Sequence, residues 1–268
     1  MRFATVSDGG PLVAAVVGDR VIPLNRRLTM QDVIAKGDRV PRRSAGSLPL
    51  ASVALGPAIP CPGAIYTVGA NYRIADEPAA RRGARPLIYG KAPSSVGAPD
   101  ATLSWDRTLT DNVDAECELG VVIGRPARNV SEGEAMGHVF GYTIMNDISS
   151  RDPWLDGDQW LLGKSLPGFC PVGPWIVTSD ELDPSDLRLG CTINGEPIQD
   201  GRTSDMWFSI AEIVSFLSRH LALLPGDLIA TGTPARLPTP PGPDRRLEPG
   251  DTVSAWIEGI GALTTHVA

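Results

Sequence analysis

Apolar residues in this chain fall mostly in short runs broken by glycine, proline and polar pairs, a pattern of strands and turns. "MRFATV" and "PLVAAVVGDRVIPL" predict strands over residues 1 to about 24, with Gly18-Asp19 as a hairpin turn. A short helix follows, with Thr29 as its N-cap, Asp32 three residues on and Gly37 as its stop. Residues 38–59, rich in Arg, Pro and Ser, read as a connection to a main domain. Further strands are predicted at 64–69, 116–124, 139–146, 172–177, 188–193, 227–231 and 252–257. A clear amphipathic helix opens at Ser209, which forms a capping box with Glu212. Ile210, Ile213, Val214, Leu217 and Leu221 share one face of it, and Pro225-Gly226 ends it. "LPTPPGPD" (237–244) reads as an exposed loop. There is no internal repeat, and Gly195 and Gly201 do not complete a G-x-G-x-x-G fingerprint. The fold class is therefore α+β and β-rich.

Composition narrows the function. Glycine (29) and proline (25) make up about a fifth of the 268 residues, which suits many turns between short strands. A chain of this length buries a sizeable core, as one large domain or as a large one with a small companion. The net charge of −7 argues against a nucleic-acid partner, which would want a basic stripe. No apolar run approaches the roughly 20 residues needed to cross a bilayer, so no membrane partner is expected. The first residues lack the apolar core of a signal peptide, and a cytoplasmic location is the expectation. Cys61, Cys117, Cys170 and Cys191 show no C-x-x-C spacing and read as buried free thiols. His138, His220 and His266 lie far apart, so a histidine-rich metal site is not expected.

The informative chemistry lies in "VDAECELGVVI" (113–123). Its apolar, β-branched end predicts a strand, and residues two apart in a strand share a face. Glu116 and Glu118 then stand side by side while Cys117 points into the core. Two such carboxylates repel unless a cation lies between them, and hard oxygen ligands suit magnesium or manganese, or calcium, rather than zinc. The alternative is that both glutamates line the wet face of an edge strand. A third acid bears on the choice: "HVFGYTIMND" is a buried strand that ends abruptly in Asn146-Asp147. Lys164, alone in the apolar stretch "WLLGKSLPGF", either binds an acidic substrate or is an ordinary surface lysine.

In this order the segments resemble the fumarylacetoacetate hydrolase family over residues 64–268. "VGANY" (68–72), "DAECELGVVIG" (114–124), "GYTIMNDISSRD" (141–152), "GKSLPGFCPVGPWIV" (163–177), "INGEPIQDGRTSDM" (193–206) and "LLPGDLIATGTP" (223–234) carry the resemblance, followed by "LEPGD" (247–251). It implies a β-roll catalytic domain over 60–268 behind a small β-rich N-terminal domain and linker over 1–59. It also implies a homodimer. Metal ligation falls on Glu116, Glu118 and Asp147. Substrate contacts fall on Lys164, Arg151, Thr233 and Tyr72. The implied substrate is a small 2-oxo or 1,3-dicarbonyl acid, with the ion stabilising an enolate.

The chain departs from that family at one catalytic feature. The family's hydrolases carry an H-x-x-E pair after the "NY" motif, where this sequence has Ala75 and Pro78. Asp76 and Glu77 either serve as carboxylate bases or simply begin a lid helix. Trp154 and the turn Ala235-Arg236-Leu237 also differ from the family pattern. Three functions follow: a decarboxylase or keto–enol tautomerase using the enolate chemistry alone, a C–C hydrolase recruiting Asp76 or Glu77, or a non-catalytic binding protein. The first is favoured, because the electron sink is retained and the recognised base is missing.

Overall fold

A computed structural model describes residues 1–7, 10–37, 46–73, 84–152, 159–238 and 245–268. Hairpins built from β1 (Arg2–Ser7), β2 (Pro11–Val17), β3 (Arg20–Pro23) and β4 (Leu48–Pro49) open the chain, with α1 (Met30–Lys36) between the last two. Then come β5 (Ile65–Gly69), β6 (Leu87–Lys91), β7 (Val96–Gly97), β8 (Ala101–Leu103) and β9 (Val113–Asp114). Two long buried strands follow, β10 (Cys117–Ile123) and β11 (Val139–Asn146), separated by the short helix α2 (Glu132–Ala135). Beyond them lie β12 (Ser149–Ser150), the single turn α3 (Trp160–Gly163), β13 (Cys170–Thr178), β14 (Arg188–Ile193) and β15 (Glu196–Arg202). The chain closes with α4 (Ile210–His220), β16 (Leu228–Ala230), β17 (Thr252–Ile257) and β18 (Gly261–Val267).

The larger sheet runs β4-β3-β2-β1-β13-β11-β10-β16-β5-β6, with β7 alongside β13, and a five-stranded sheet runs β15-β14-β17-β18-β8. Strand β10 is interior, antiparallel to β11 on one side and to β16 on the other. Both of its faces are covered. Leu119 and Val121 join a core with Leu189 and Val253 of the smaller sheet and Ile213 and Leu217 of α4. Val122 turns the other way, into a core with Phe3, Val33 and Leu228. A strand covered on both faces reads as a continuous apolar run, which is why "LGVVI" shows no alternation.

The N-terminal strands are continuous with this sheet, since β1 pairs with β13 and Phe3, Val13 and Met30 share a core with Ile65 and Val172. The connection expected over 38–59 is also partly built in. Leu48–Pro49 pairs with β3, and Ala58 and Ile59 are buried, while residues 38–45 lie outside the described set. Helix α1 carries the expected capping box of Thr29 and Asp32, and α4 that of Ser209 and Glu212. Helix α4 stops earlier than expected, at His220, with Leu221 as an extended, exposed C-cap rather than a member of the buried face. The chain there is drawn into a bridge between Ala127 and Leu223, and this pairing, not Pro225-Gly226, ends the helix. Among the cysteines, Cys61 is exposed and the other three are buried free thiols. No helix among the described residues is long and apolar enough to cross a membrane.

The cap of α4 gives a direct check on this packing. The Ser209 hydroxyl accepts the Glu212 backbone N–H at 3.2 Å, and Ser209→Ala should cost about 1 kcal/mol in urea denaturation. A loss of stability indistinguishable from zero would mean that tertiary contacts alone hold this end of the helix.

Candidate metal and substrate site

The register of β10 and β11 brings the acids together. Cys117 faces Asn146 across the ladder, and just beyond it the Asp147 N–H donates to the Glu116 carbonyl at 2.8 Å. Asn146 Oδ1 accepts the Glu116 N–H at 3.1 Å, which closes the strand ends. Glu116, Glu118 and Asp147 thus offer carboxylate oxygens that all lie within 4.8 Å of one another. Glu118 and Asp147 are buried, and Cys117 between the glutamates is turned into the core. The edge-strand alternative therefore falls, because β10 has a neighbour on each side.

Four basic side chains from separate segments surround the acids. Lys164, at the C-terminal end of α3, is buried rather than on the surface. Its Nζ donates to Asp147 Oδ2 (2.5 Å), Ser149 Oγ (2.8 Å) and, more loosely, Glu116 Oε2 (3.5 Å). Lys91 at the end of β6 donates to Asp147 Oδ1 (2.5 Å) and to the Ile148 carbonyl (3.0 Å). In hydrogen-bonded order β6 lies four strands from β11, so this contact requires the sheet to curl back on itself. Arg151 spans two acids, with Nε at 3.0 Å from Asp114 Oδ2 and a terminal nitrogen at 2.5 Å from Glu116 Oε1. Arg236 meets Asp114 from the other side at 3.1 Å and donates to the Ala115 carbonyl at 2.9 Å, while Arg246 stands off at 3.9 Å.

The turn after β16 completes the site. Gly232 N–H donates to Glu118 Oε2 at 2.7 Å. Only glycine brings it there, since φ is +96° and a Cβ would lie 2.8 Å from the Val68 carbonyl oxygen. Gln199 is fully buried and holds the turn to β10. Its Oε1 accepts the Cys117 N–H at 2.9 Å, and its Nε2 donates to Thr233 Oγ1 and the Pro234 carbonyl, both at 2.8 Å. Thr233 Oγ1 donates to the Cys117 carbonyl at 2.8 Å.

These groups line a cleft of about 200 Å³ that includes Glu116, Glu118, Asp147, Arg151, Lys164 and Thr233. Tyr72 is not in its lining. It packs in the core, bridged to Met206, with burial pushing its phenol well above the ordinary value. Asp76, Glu77, Ala75, Pro78 and Trp154 lie outside the described residues. Lys91, Asp114, Arg236 and Gln199 carry the site's charge and bracing; of these only Arg236 stands out in the sequence, as part of a turn that departs from the family pattern. For Lys91 the only available signal was a lysine closing an otherwise apolar strand, "LIYGK". A larger depression of about 520 Å³, lined by Tyr142, Ser179, Asp180, Glu181 and Asp183 among others, contains no lysine or arginine and offers nothing to an acidic ligand.

The electrostatics fit a divalent cation. Burial drives the Glu118 carboxyl well above its ordinary value, reinforced by the charges of Asp147 and Glu116. Burial also raises Glu116, opposed by Lys164 and Arg151. At Asp147 burial works in the same direction, but the ammonium groups of Lys164 and Lys91 outweigh it and bring the carboxyl down to about 2. An acid held above its ordinary value by burial and like charges is one that a bound cation relieves. Oxygen atoms this close can be touched by one ion with bonds of about 2.1–2.5 Å, and an all-carboxylate set suits hard cations.

The family profile described as fumarylacetoacetate (FAA) hydrolase C-terminal matches residues 64–268. The structure is similar to that of a fumarylacetoacetate hydrolase from psychrophilic Exiguobacterium antarcticum, with a TM-score of 0.90 and 33% identity over 100% of this chain and 99% of that one. It is similar to a 5-carboxymethyl-2-hydroxymuconate delta-isomerase from Mycobacterium smegmatis, with a TM-score of 0.82 and 35% identity over 100% and 99% of the two chains. A maleylpyruvate hydrolase from Sphingobium sp. SYK-6, solved with manganese(II) and pyruvate, has a TM-score of 0.83 and 26% identity over the same shares.

Calorimetry should find one divalent ion bound per chain. Glu118→Ala should abolish that binding and Cys117→Ser should leave it nearly intact. Equal binding by wild type and a Glu116→Ala/Glu118→Ala double variant would put the ion elsewhere. The sign of the pH dependence follows from Glu118. Its folded value is raised, so between the ordinary 4.5 and that value the metal-free fold holds a proton that the unfolded chain has lost. Metal-free stability therefore falls as pH rises through this window, whereas metal affinity rises as the competing proton leaves. Affinity that is flat from mildly acid to neutral solution would contradict this assignment.

Proposed function

The chain belongs to the fumarylacetoacetate hydrolase family and is an enzyme of it, and on that footing we propose that it enolises a small 2-oxo or 1,3-dicarbonyl acid, with tautomerisation or decarboxylation as the outcome. Glu116, Glu118 and Asp147 would hold the divalent ion, magnesium or manganese. The hard donor set supports this choice of ion, as does the manganese in the similar maleylpyruvate hydrolase. When bound, the ion supplies Lewis-acid charge beside the 2-oxo oxygen.

The observation that carries the reading is the placement of Lys164: buried in the cleft, its Nζ donates to Asp147 Oδ2, Ser149 Oγ and Glu116 Oε2. Against the burial that opposes it, those carboxylates favour the ammonium form. As an ammonium Lys164 is a hydrogen-bond donor for a developing oxyanion and not a base for activating water. Arg151 lines the same cleft with a guanidinium suited to a substrate carboxylate. Among the described residues the cleft lining contains no histidine.

Charge balance supports the same chemistry. Asp114, Glu116, Glu118 and Asp147 are met by Lys91, Lys164, Arg151 and Arg236, with Arg246 farther off at 3.9 Å from Asp114, so the protein groups cancel or carry a small positive excess. A divalent ion leaves a surplus of about two to three positive charges. A keto acid carries one negative charge, and its enolate carries two. The surplus therefore favours the enolate over the ground state, which is what acceleration requires.

Hydrolysis of a C–C bond is the second reading, favoured by similarity to two hydrolases. It needs a base to activate water, for which the candidates are Asp76 and Glu77. The two readings separate in assays with magnesium. Oxaloacetate decarboxylation or enolisation should outrun acylpyruvate cleavage, because a hydrolase without its base loses roughly 10²–10⁴-fold. Fast acylpyruvate cleavage that collapses in Asp76→Asn/Glu77→Gln would install hydrolysis instead. Lys164→Met should lose on the order of 10²-fold or more in kcat while still binding the ion. Wild-type turnover in that variant would remove Lys164 from the chemistry.

A further inference from the structure

The cleft has a second wall that the enolate chemistry does not use. Apart from the charged residues and from Thr67 and Thr233, its lining is apolar, with Val68 and Gly69 from β5, Leu87 and Tyr89 from β6, and Trp160 from α3. Leu87, Tyr89 and Lys91 alternate along β6 and so share a face. That face runs from Lys91, buried against Asp147, past Tyr89 to Leu87, which is 51% exposed at the other end of the strand. At about 6.6–6.8 Å per residue pair it extends roughly 13 Å outward from the ligand cluster. A 2-oxo acid with its oxygens at the cluster would direct its carbon tail along this wall.

Tyr89 is held in place from more than one direction. Its ring stacks on Trp160 with centroids 4.5 Å apart and planes 26° from parallel. A Cβ on Gly69 would lie only 2.5 Å from Tyr89 Cε2, so the ring occupies the space that glycine leaves. Trp160 in turn opens the turn that ends at Lys164, whose N–H donates to the Trp160 carbonyl at 3.0 Å. The stack therefore ties the strand bearing Lys91 to the turn bearing Lys164. It also presents aromatic and aliphatic surface to whatever lies in the cleft. Among the described residues the cations lining the cleft are Arg151 and Lys164, both engaged with Asp114, Glu116 and Asp147.

We propose that Trp160, Tyr89 and Leu87 determine specificity, selecting 2-oxo acids whose tail is flat and apolar, such as an aryl group, over those with a short tail. This rests on the enolate reading of the site. The test uses manganese-loaded protein and three binding probes: oxalate, which has no tail, pyruvate, with a methyl tail, and phenylpyruvate, with an aryl tail. Wild type should prefer phenylpyruvate to pyruvate by roughly tenfold, the scale of one buried aromatic contact. Trp160→Ala should bring that ratio near one, the ratio within each variant cancelling any change transmitted through the Lys164 turn to both pyruvates, and Trp160→Phe should restore most of the preference. Gly69→Ala should also reduce it, by displacing the Tyr89 ring. Leu87→Glu, at an exposed position where folding is not at stake, should reduce it independently. Failure of oxalate to bind wild type would sink the enolate reading. Oxalate binding with a phenylpyruvate-to-pyruvate ratio unmoved by Trp160→Ala and Leu87→Glu would sink the specificity wall alone.

Discussion

A carboxylate taken out of water costs several kcal/mol unless cations meet it, and this protein buries Glu118 and Asp147 beside Glu116, with Asp114 joined to them through Arg151. The basic residues that meet them come from distant parts of the chain: Lys91 from β6, Arg151 from beyond β12, Lys164 from the end of α3, and Arg236 from the segment after β16. Holding these charges in register is what the curled sheet accomplishes. Asp147 is the keystone, since one of its oxygens takes Lys91 and the other takes Lys164. Among the described residues Glu118 has no lysine or arginine at that distance; it accepts the Gly232 N–H, and burial raises its carboxyl well above the ordinary range. The cation demand of the site is therefore concentrated at Glu118 and Glu116.

Rigidity follows from the same arrangement. The turn at 231–234 must bring a backbone N–H to Glu118, and two buried amide side chains hold it there. Gln199 ties it to the start of β10, and Asn71 Nδ2 donates to the Thr231 carbonyl at 2.8 Å and the Phe208 carbonyl at 3.2 Å. The acids thus sit on strands and braced turns, the elements best able to fix donor positions. The cleft is lined both by charged groups and hydrogen-bond donors and by the Tyr89–Trp160 stack, and α3 joins the two through Trp160 and Lys164.

What could be read in the sequence was whatever depends on local period. Glu116 and Glu118 stand two apart in a strand, so a shared face follows from the pleat, and Cys117 must point the other way. Asp147 follows directly on a wholly buried strand, and an acid there has few structural uses. The caps at Thr29 and Ser209 were legible because each involves contacts within a few residues. Leu221 was misplaced for a complementary reason: helical period continues through it, but pairing between Ala127 and Leu223 pulls the chain out of the helix. The substrate role expected of Tyr72 follows from the motif in the sequence, and in the fold its ring packs in the core with its phenol within reach of the Glu118 charge.

Lys91 marks the boundary between the two kinds of information. In "LIYGKAPSS" it is an unremarkable lysine at a strand end. It becomes part of the site only because the sheet curls until β6 reaches the end of β11. Arg236, Asp114 and Gln199 are alike in this, each defined by a partner far away in the chain. By itself the sequence determined the strand-rich class, the acid triad and the family, because these rest on period, residue chemistry and the order of motifs. The tertiary structure decided which cations neutralise those acids, which wall of the cleft is apolar, and that Lys164 is a buried ammonium. Those properties depend on desolvation and on charge separations of a few ångströms, which are set only when distant segments pack.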